Sequence, residues 1–425
     1  MGKRWTPNRK IHSDRRLPMN AVGIDVSKGK SMVAVMQPLG VVIAEPFEVN
    51  HTEIELGKLA RFLKSLSGDT KVIMESTGHY NIQVADYLHD EGIFVTVVNP
   101  ILIANYDANI TVRKAKTDKK DSIKIANWGI EHWLNLVEYI PSGDIRKSLK
   151  IFNRQYNQLL KQKTMVKNNL IAMLDQTFPD VHRLFSSPQR PDGREKWLDF
   201  CMKYWHCECV CGLSQKEFTK RYAKWCKHNG YNFSENKAFD IYAEACGNVG
   251  LLPKNKSTKT LITSSLKQLS SINENILIIT NEMDRLARML PEYETVAAMY
   301  GVGRIIAPQL IAEIGDIYRF KNKKALIGYA GIDAPPYQSG DVNVSSRSIS
   351  KRGSSDLRKV LFVVMQVILQ KQPENEPVYQ FLDKKRSEGK PYKVYMIAGA
   401  NKFLRIYYAR VKECLDSAET NLVNT

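Results

Sequence analysis

Short apolar runs separated by turn-forming residues open the chain and predict β-strands. Strands are expected at 20–26, 31–36 and 41–45, with the turn-prone segment Ser27–Lys30 between the first two. Asp25 stands near the end of the first strand, after four apolar or small residues. The pattern predicts a three-stranded antiparallel start that carries a carboxylate near a strand end. An acid that merely caps the following turn is the plain alternative.

Helical and extended patterns alternate beyond these strands. A helix fits Glu53–Leu66, and the short apolar strand Lys71–Glu75 again ends on a carboxylate. A helix at about 79–91 and a strand at Phe94–Val98 follow. Three antiparallel strands, then helix, strand, helix and strand, is the order of elements in the ribonuclease-H-like fold. This is an analogy at the level of the fold alone.

The second half of the chain reads as mainly helical. Apolar residues at alternating spacings of three and four predict two long helices, which favour a coiled-coil pair over ordinary core helices. Whether they pair within one chain or between chains stays open. The predicted division is a basic N-terminal arm (1–18), an α/β ribonuclease-H-like domain (19–143), coiled-coil helices (144–178 and 259–290), a small helical insert (179–258), a mainly helical basic domain (291–415) and a tail (416–425).

The insert holds six of the seven cysteines of the chain. The cluster from His206 to Cys211, with Cys226 and His228 downstream, raises the possibility of a zinc site. Structural zinc sites favour ligand pairs separated by two to four residues, and Cys226-Lys227-His228 is too tight. Buried, reduced thiols in a small helical domain are the favoured interpretation.

Charge narrows the class of partner. The 425 residues include 62 Lys plus Arg against 44 Asp plus Glu, a net charge of +18, which predicts binding to a polyanion. Nucleic acid is favoured over an anionic membrane surface, because no basic amphipathic helix stands out. No apolar run approaches the roughly eighteen residues that span a bilayer. The N-terminal stretch lacks the apolar core of a secretory signal, so a cytoplasmic protein is expected.

Two basic stretches and one glycine-containing turn carry the candidate nucleic-acid contacts. The first surrounds Asp118 and Asp121, on a helix expected to start near Thr117. These acids are three residues apart and share a helical face, so a divalent cation or the neighbouring lysines must neutralise them. The second leads into an apolar helix at 360–369, and a glycine-containing turn joins helices expected at 293–299 and 305–314. The second stretch and the glycine-containing turn can each bind phosphates. The alternative for the stretch is a solvated basic face, and the alternative for the turn is a plain connection between helices. The candidate contacts are Arg113, Lys114, Lys116, Arg304, Arg347, Lys351, Arg352 and Arg358.

Asp25, Glu75, Asp118 and Asp121 form the order Asp–Glu–Asp–Asp across one α/β domain. Phosphodiester chemistry uses such clusters, because two metal ions can stabilise the attacking and leaving oxygens and several carboxylates are needed to hold them. Oxygen ligands favour Mg²⁺ or Mn²⁺. The four acids are therefore the candidate metal ligands.

The motifs around these acids resemble the RuvC-like domain of the DEDD insertion-sequence transposases, the one-ten family, whose relatives include the Piv-type DNA invertases. Further segments resemble that family's C-terminal transposase domain, and the resemblance covers about 20–175 and 290–405. The insert is longer than expected for the family. The motifs are Gly23–Lys28, Met74–Gly78, Lys116–Asp121, Gly301–Gly303, Ala312–Asp316, Phe320-Lys321, Tyr329–Gly331, Gln338–Gly340 and Ile349–Gly353.

The resemblance implies recombination of donor and target DNA, guided by a structured non-coding RNA. It also implies that Ser339, in Gln338-Ser339-Gly340, attacks a DNA phosphodiester and forms a covalent phosphoserine. Family members are thought to assemble a composite site from different subunits, so a homo-dimer or homo-tetramer is expected. The expected location is the cytoplasm of a bacterium or archaeon, on the nucleoid when active.

Two other functions fit the same residues. The acids can activate water in a hydrolytic RuvC-like nuclease, in which Ser339 is structural. The chain can also be a non-catalytic nucleic-acid-binding scaffold with a degenerate acid cluster. A covalent protein–DNA adduct distinguishes the first function from the nuclease, and metal-dependent cleavage excludes the scaffold.

Overall fold

The chain forms two compact units, Met1–Pro141 and Ser142–Thr425. The computed structural model describes residues 18–76, 78, 80–107, 117–334, 338–339, 342–343 and 348–423. None of the helices in these ranges is long and apolar enough to cross a membrane.

A five-stranded mixed sheet forms the centre of the first unit, with the strand order β3-β2-β1-β4-β5. The first three strands pair antiparallel, and β4 and β5 continue the sheet in parallel with β1. The third strand runs through Pro46, beyond the predicted end at residue 45; proline is tolerated there because the strand lies at the sheet edge. The strands are β1 (Met19–Val26), β2 (Lys30–Gln37), β3 (Val41–Asn50), β4 (Asp69–Glu75) and β5 (Phe94–Val98).

Helices cover both faces of this sheet. One face of β1, with Val22, Ile24 and Val26, packs in a core with the first two helices. The opposite face, represented by Ala21, packs against the fourth helix. The third helix is absent from the sequence-based prediction; it begins at Pro100, and proline suits the first position of a helix. The helices are α1 (Glu53–Ser65), α2 (Tyr80–Asp90), α3 (Pro100–Asp107) and α4 (Asp118–Glu131).

The second unit is helical apart from one short hairpin among the residues that the structure describes. Its elements are α5 (Asp144–Leu174), α6 (Lys196–Lys203), α7 (Glu208–Cys211), α8 (Gln215–Asn229), α9 (Glu235–Gly247), α10 (Lys256–Ala287), α11 (Tyr293–Ala297), α12 (Gly303–Ile314), α13 (Lys323–Ala330), β6 (Gln338–Ser339), β7 (Val342–Asn343), α14 (Ser355–Lys371), α15 (Pro377–Ser387) and α16 (Tyr392–Val423). An α/β domain followed by a mainly helical remainder confirms the predicted fold class.

The two long helices, α5 and α10, pack against each other within one chain. Leu170 of α5 and Ile262 of α10 belong to a core that includes α6, α8 and α9. Leu149 and Met283, at the other ends of the same helices, belong to a core with α11, α12, α14 and α16. The pair is therefore antiparallel, and it connects the insert with the C-terminal helices.

The insert cysteines are free thiols, and Cys201, Cys207 and Cys226 are buried. Burial raises the pKa of Cys201. His206 uses both ring nitrogens for the backbone: Nδ1 accepts from Glu208 N at 3.1 Å and Nε2 donates to the Leu252 carbonyl at 2.9 Å. Among the described residues, no cysteine belongs to a group of three ligand atoms within 4.8 Å of one another. These contacts support buried thiols rather than a zinc site.

Three helix boundaries in the C-terminal region differ from the predictions. The second helix of the glycine hairpin starts at Gly303 rather than at residue 305, so Pro308 lies in its second turn. Pro308 has no N–H to donate. The side chain of the next residue, Gln309, donates to the Ile305 carbonyl at 2.8 Å. The helix expected at 360–369 starts at Ser355, because Ser354 caps it by accepting from Leu357 N at 3.0 Å. The final helix continues to Val423.

Candidate active site

Asp25 and Glu75 lie at the ends of two adjacent parallel strands. Ile24 pairs with Met74, and the two acids are the next residue on each strand. Side chains alternate along a strand, so Asp25 shares a face with Ala21, and Glu75 shares it with Ile73. Ala21 and Ile73 pack in the core formed with α4. Both carboxylates therefore lie on the sheet face that α4 covers.

Gly23 allows α4 to lie directly on β1. A Cβ atom at this position would stand 2.0 Å from the Ser122 carbonyl oxygen and 2.5 Å from Ala126 N. No larger residue fits between the two backbones. Because Gly23 is two residues before Asp25, this close approach fixes the start of α4 beside the strand end that carries the acid.

The first turn of α4 holds the other two acids. Thr117 caps the helix by accepting from Lys120 N at 3.4 Å, which confirms the predicted start. Asp118 and Asp121 stand one turn before Ser122 and Ile125, which are fully buried against the sheet. The acids therefore continue the sheet-facing stripe of the helix.

The charge of Asp118 also reaches the β1–β2 end of the sheet. Lys30, at the start of β2, has its pKa raised first by a hydrogen bond and the charge of Glu48, and further by the charge of Asp118. Lys30 donates to Glu48 at 2.7 Å. Asp118 thus lies near the hairpin end where Asp25 is found.

The four carboxylates surround one end of the sheet without meeting at a single point. Asp25, Glu75 and Asp121 are partly buried, and Asp118 is exposed. Within the described part of the chain, no three of them place ligand atoms within 4.8 Å of one another. Their all-oxygen donor set fits Mg²⁺ or Mn²⁺. Joint coordination requires rotation of these side chains, which the exposure of Asp118 permits.

A tighter ligand group, for which the sequence pattern gives no signal, lies after α5. Asp175, Asp180 and His182 place their ligand atoms within 4.8 Å of one another. However, Asp180 pairs with Arg183 at 3.1 Å, and its backbone N donates to Asp175 at 3.3 Å. The arginine therefore supplies positive charge next to Asp180.

Ser339 lies on the short hairpin of β6 and β7, where it pairs with Val342. Its side chain and Gly340 lie outside the described residues. The chain leaves the helical core at Asp333 and returns at Ser350, where backbone and side chain both bind Asp333, at 2.8 Å and 2.5 Å. These bonds close the base of the segment that carries the serine.

The basic strip after this segment, residues 348–354 at the entrance to α14, is held by contacts of its backbone. A Cβ at Gly353 would lie 2.1 Å from the Tyr329 carbonyl oxygen, so the strip touches α13 directly. Arg358 donates to the carbonyls of Ala330 at 2.9 Å and Gly353 at 3.2 Å. Its guanidinium thus stabilises the strip, whereas Lys351 and Arg352 are exposed beside it. The candidate contacts Arg113, Lys114, Lys116 and Arg347 lie outside the described residues.

Arg304 takes part in a charge cluster with α10. It donates to Asp284 at 2.7 Å, and Asp284 also accepts from Arg288 at 2.9 Å and Tyr293 at 2.5 Å. Burial alone would raise the pKa of Asp284, but these hydrogen bonds outweigh it and lower the pKa to about 2. The Arg304 side chain keeps 75% of its surface exposed, so it is paired and also faces solvent.

Glu313 is a buried acid to which the sequence pattern assigns no role. It accepts from Asn153 at 2.8 Å and from Ser354 at 2.8 Å, and only 4% of its surface is exposed. These bonds join α5 and α12 to the N-terminus of α14, where the basic strip ends. In the sequence, Glu313 is the single acid of its helix and lies in the motif Ala312–Asp316, which gives it no specific role.

Two family models match this chain, one in the region that carries the acids and one in the C-terminal region. Residues 22–179 match the family model of the DEDD transposase domain of IS110 elements, and residues 293–380 match the "Transposase IS116/IS110/IS902 family" model. The chain is 23% identical over 343 residues to the pilin gene-inverting protein of Moraxella bovis, covering 80% of each chain. It is also 23% identical over 292 residues to the transposase for insertion sequence element IS1111A of Coxiella burnetii, covering 68% of this chain and 63% of that one. Because the two family models together cover more than half of its length, the chain belongs to the IS110 family of transposases.

Proposed function

We propose that the protein is the RNA-guided recombinase of an insertion sequence, which cuts and rejoins DNA through Ser339 with the help of the acid cluster. As a member of a transposase family, the chain is an enzyme of DNA recombination. The finer proposal is carried by one observation: the register of β1 with β4 and the contact at Gly23 bring Asp25, Glu75 and the start of α4 to one end of the sheet.

The acids form one half of the proposed site. Mg²⁺ or Mn²⁺ bound by Asp25, Glu75, Asp118 and Asp121 would supply positive charge against the charge that develops on the phosphate. The protein's own contribution is to hold four carboxylates around one sheet end by backbone contacts. The Thr117 cap and the Gly23 contact fix the backbone position of the start of α4 beside β1.

The serine forms the other half. The Ser339 oxygen attacks a DNA phosphorus, the serine–phosphate bond forms, and the bond from phosphorus to the DNA leaving oxygen breaks. The hydroxyl proton passes to a base, and the released DNA end carries a hydroxyl group. The reverse reaction with another DNA end rejoins the strands. Lys351 and Arg352, both exposed beside the hairpin base, neutralise phosphates of the bound DNA.

The proposal also includes a bound guide RNA and an assembly of several subunits. The net charge of +18 suits a complex with two DNA molecules and a structured RNA. The acids lie in one unit of the chain and Ser339 in the other, which is compatible with a site shared between subunits of a homo-dimer or homo-tetramer. We place this activity in the cytoplasm of a bacterium or archaeon, on the nucleoid.

A covalent adduct tests the serine. The protein is purified with its bound RNA, the RNA is sequenced, and the complex is incubated with donor and target DNA and Mg²⁺ or Mn²⁺. Denaturing gels should show a protein–DNA adduct that is absent in Ser339→Ala. Ser271→Ala, at an exposed position of α10, is the matched control and should form the adduct normally.

The acid variants complete the test. Asp25→Asn or Glu75→Gln should abolish cleavage without unfolding the protein. If Ser339→Ala still cleaves and no adduct forms, the enzyme is a hydrolytic nuclease. If the unmodified protein never cleaves with RNA and metal supplied, it is a binding scaffold. Mixing Asp25→Asn with Ser339→Ala should restore activity if the two halves come from different subunits, and no recovery would refute a shared site.

A further inference from the structure

Helix α8 lies in a part of the chain that neither family model covers, between residues 179 and 293. Its inner face, with Phe218, Tyr222, Trp225 and Cys226, is buried in the core of the insert. Those positions repeat at spacings of four, three and one, so they form one stripe of the helix. The opposite stripe is therefore free to face solvent.

Four lysines occupy that outer stripe: Lys216, Lys220, Lys224 and Lys227 are all exposed. At 1.5 Å per residue, neighbouring lysines are about 4.5–6 Å apart along the axis, and the row extends over roughly 16 Å. Such a row presents several positive charges in one direction.

No carboxylate of the helix neutralises this row. Within the described part of the chain, none of the four lysines forms an ion pair, whereas Lys58, Lys64 and Lys385 each do. The one acid of α8, Glu217, is held by Arg221 at 2.5 Å. Lys227 is favoured by the C-terminal end of the helix dipole, but the other three lysines lie too far from that end. Four like charges in one row repel one another, and binding of a polyanion would remove this unfavourable repulsion.

We propose that this four-lysine row of α8 binds the phosphate backbone of double-stranded DNA without reading its sequence. The proposal rests on the proposed function, since it names the insert as an additional DNA contact of the recombinase. Lysine is a point charge that suits phosphates. Binding of single strands relies on stacking of bases on aromatic side chains, and the aromatic residues of α8 are buried. Backbone contacts to a duplex need only the charges that the helix exposes.

The test compares binding of the full chain to a DNA duplex of random sequence at several salt concentrations. The row is removed by Lys216→Gln, Lys220→Gln, Lys224→Gln and Lys227→Gln together. Glutamine keeps helix propensity and leaves the buried face unchanged. For each lysine that binds a phosphate, its removal should lower the slope of log K against log salt by about 0.9, which corresponds to about eightfold in affinity at 0.1 M salt. If two or more of the lysines bind phosphates, the variant should therefore lose affinity by about 60-fold or more.

A second quadruple variant removes the same number of charges from lysines that are already paired. Its positions are Lys58, Lys64, Lys237 and Lys385, whose partners are Glu55, Glu91, Asp240 and Glu388. This control should bind duplex DNA with the original slope. If both variants lose equal affinity, the effect is one of net charge and the proposed surface is wrong. If only binding to structured RNA changes, the row is an RNA surface and the DNA proposal fails.

These outcomes are distinct from failure of the proposed function. Unchanged binding by the α8 variant, with cleavage still dependent on Asp25, would refute the surface and leave the recombinase. A protein that binds duplex DNA through the row but never cleaves would keep the surface and refute the recombinase. Thermal unfolding and circular dichroism of each variant show that the helix remains folded.

Discussion

Gly23→Ala is the sharpest perturbation of the proposed acid site. The new Cβ would stand 2.0 Å from the Ser122 carbonyl oxygen, whereas real Cβ contacts stay above 3.0 Å. Helix α4 must therefore move away from β1 by about 1 Å, because the opposing atoms are backbone and cannot rotate away. Asp118 and Asp121 move with the helix, while Asp25 stays on the strand.

The expected magnitudes follow from this displacement. Overpacking of a core costs about 1–3 kcal/mol, and a clash between two backbones belongs at the upper end, about 2–3 kcal/mol. For a unit of this size, that loss lowers the melting temperature by roughly 5–10 °C. Misplacement of catalytic groups by about 1 Å can reduce the rate on the order of 100-fold. The activity loss should therefore exceed what partial unfolding explains.

Two matched glycine variants isolate the cause. At Gly129 a Cβ would meet Cδ1 of the buried Ile73 side chain at 2.5 Å and Cγ1 at 2.7 Å, so a side chain rather than backbone must give way. Gly129→Ala should cost about 1 kcal/mol and leave cleavage nearly unchanged, since the contact lies two turns from the acids. At Gly328, inside α13, nothing lies within 4 Å, so alanine should stabilise the helix by about 0.5–1 kcal/mol.

The assay is DNA cleavage with RNA and metal at a temperature where all three variants remain folded, together with thermal unfolding. Gly23→Ala should be the only one of the three that is folded and nearly inactive. If Gly23→Ala melts and cleaves like the unmodified protein, the backbone contact does not position the acids. If Gly129→Ala loses as much activity as Gly23→Ala, the effect is one of general packing rather than of the acid end.

Three further variants test separate contacts. Asp284 has a folded pKa of about 2, below its unfolded value of about 3.9, so its stabilisation is present above pH 4 and is lost as the pH falls toward 2. Asp284→Asn should remove about 1–2 kcal/mol at pH 7 and flatten the pH dependence of urea unfolding between pH 4 and 2; an unchanged slope there would contradict the cluster with Arg304. Glu313→Ala leaves two donors without an acceptor and should cost about 3–5 kcal/mol by urea unfolding, whereas Glu313→Gln should recover most of it, because the amide of Asn153 can turn its free oxygen toward the new N–H. Thr117→Ala removes the cap of α4 and should cost about 1 kcal/mol by thermal unfolding with a parallel loss of cleavage, while Thr117→Ser should behave normally.

The α/β fold could be predicted because its signals are local. Strand-length apolar runs ending in acids, and the Thr117 cap, are properties of neighbouring residues. The errors have the same origin. Pro100 and Pro308 are local breakers, but the first stands at a helix start and the second lies in a helix that buried packing stabilises. Propensity cannot weigh that packing, so the sequence pattern misses α3 and starts α12 two residues too late.

The candidate site could be predicted only in part from the sequence, because its geometry depends on the pairing register of β1 with β4. The pattern identifies Asp25 and Glu75 as strand-end acids, but only the pairing of Ile24 with Met74 makes them neighbours. Gly23 belongs to a recognisable motif, and its role follows from an approach of two backbones that are about a hundred residues apart in the chain. The partners of Glu313 are likewise distant in sequence, so no local pattern predicts them.

Only one of the two proposed parts of the protein should depend on salt. The Gly23 contact acts through steric repulsion between backbones, which ionic strength does not change. The α8 row acts through unpaired charges, and its contribution falls steeply as counterions compete for phosphate. Salt should therefore weaken DNA capture while leaving the acid arrangement in place. Activity that falls with salt at low DNA concentration and recovers at saturating DNA is the behaviour expected when binding and chemistry are carried by separate surfaces.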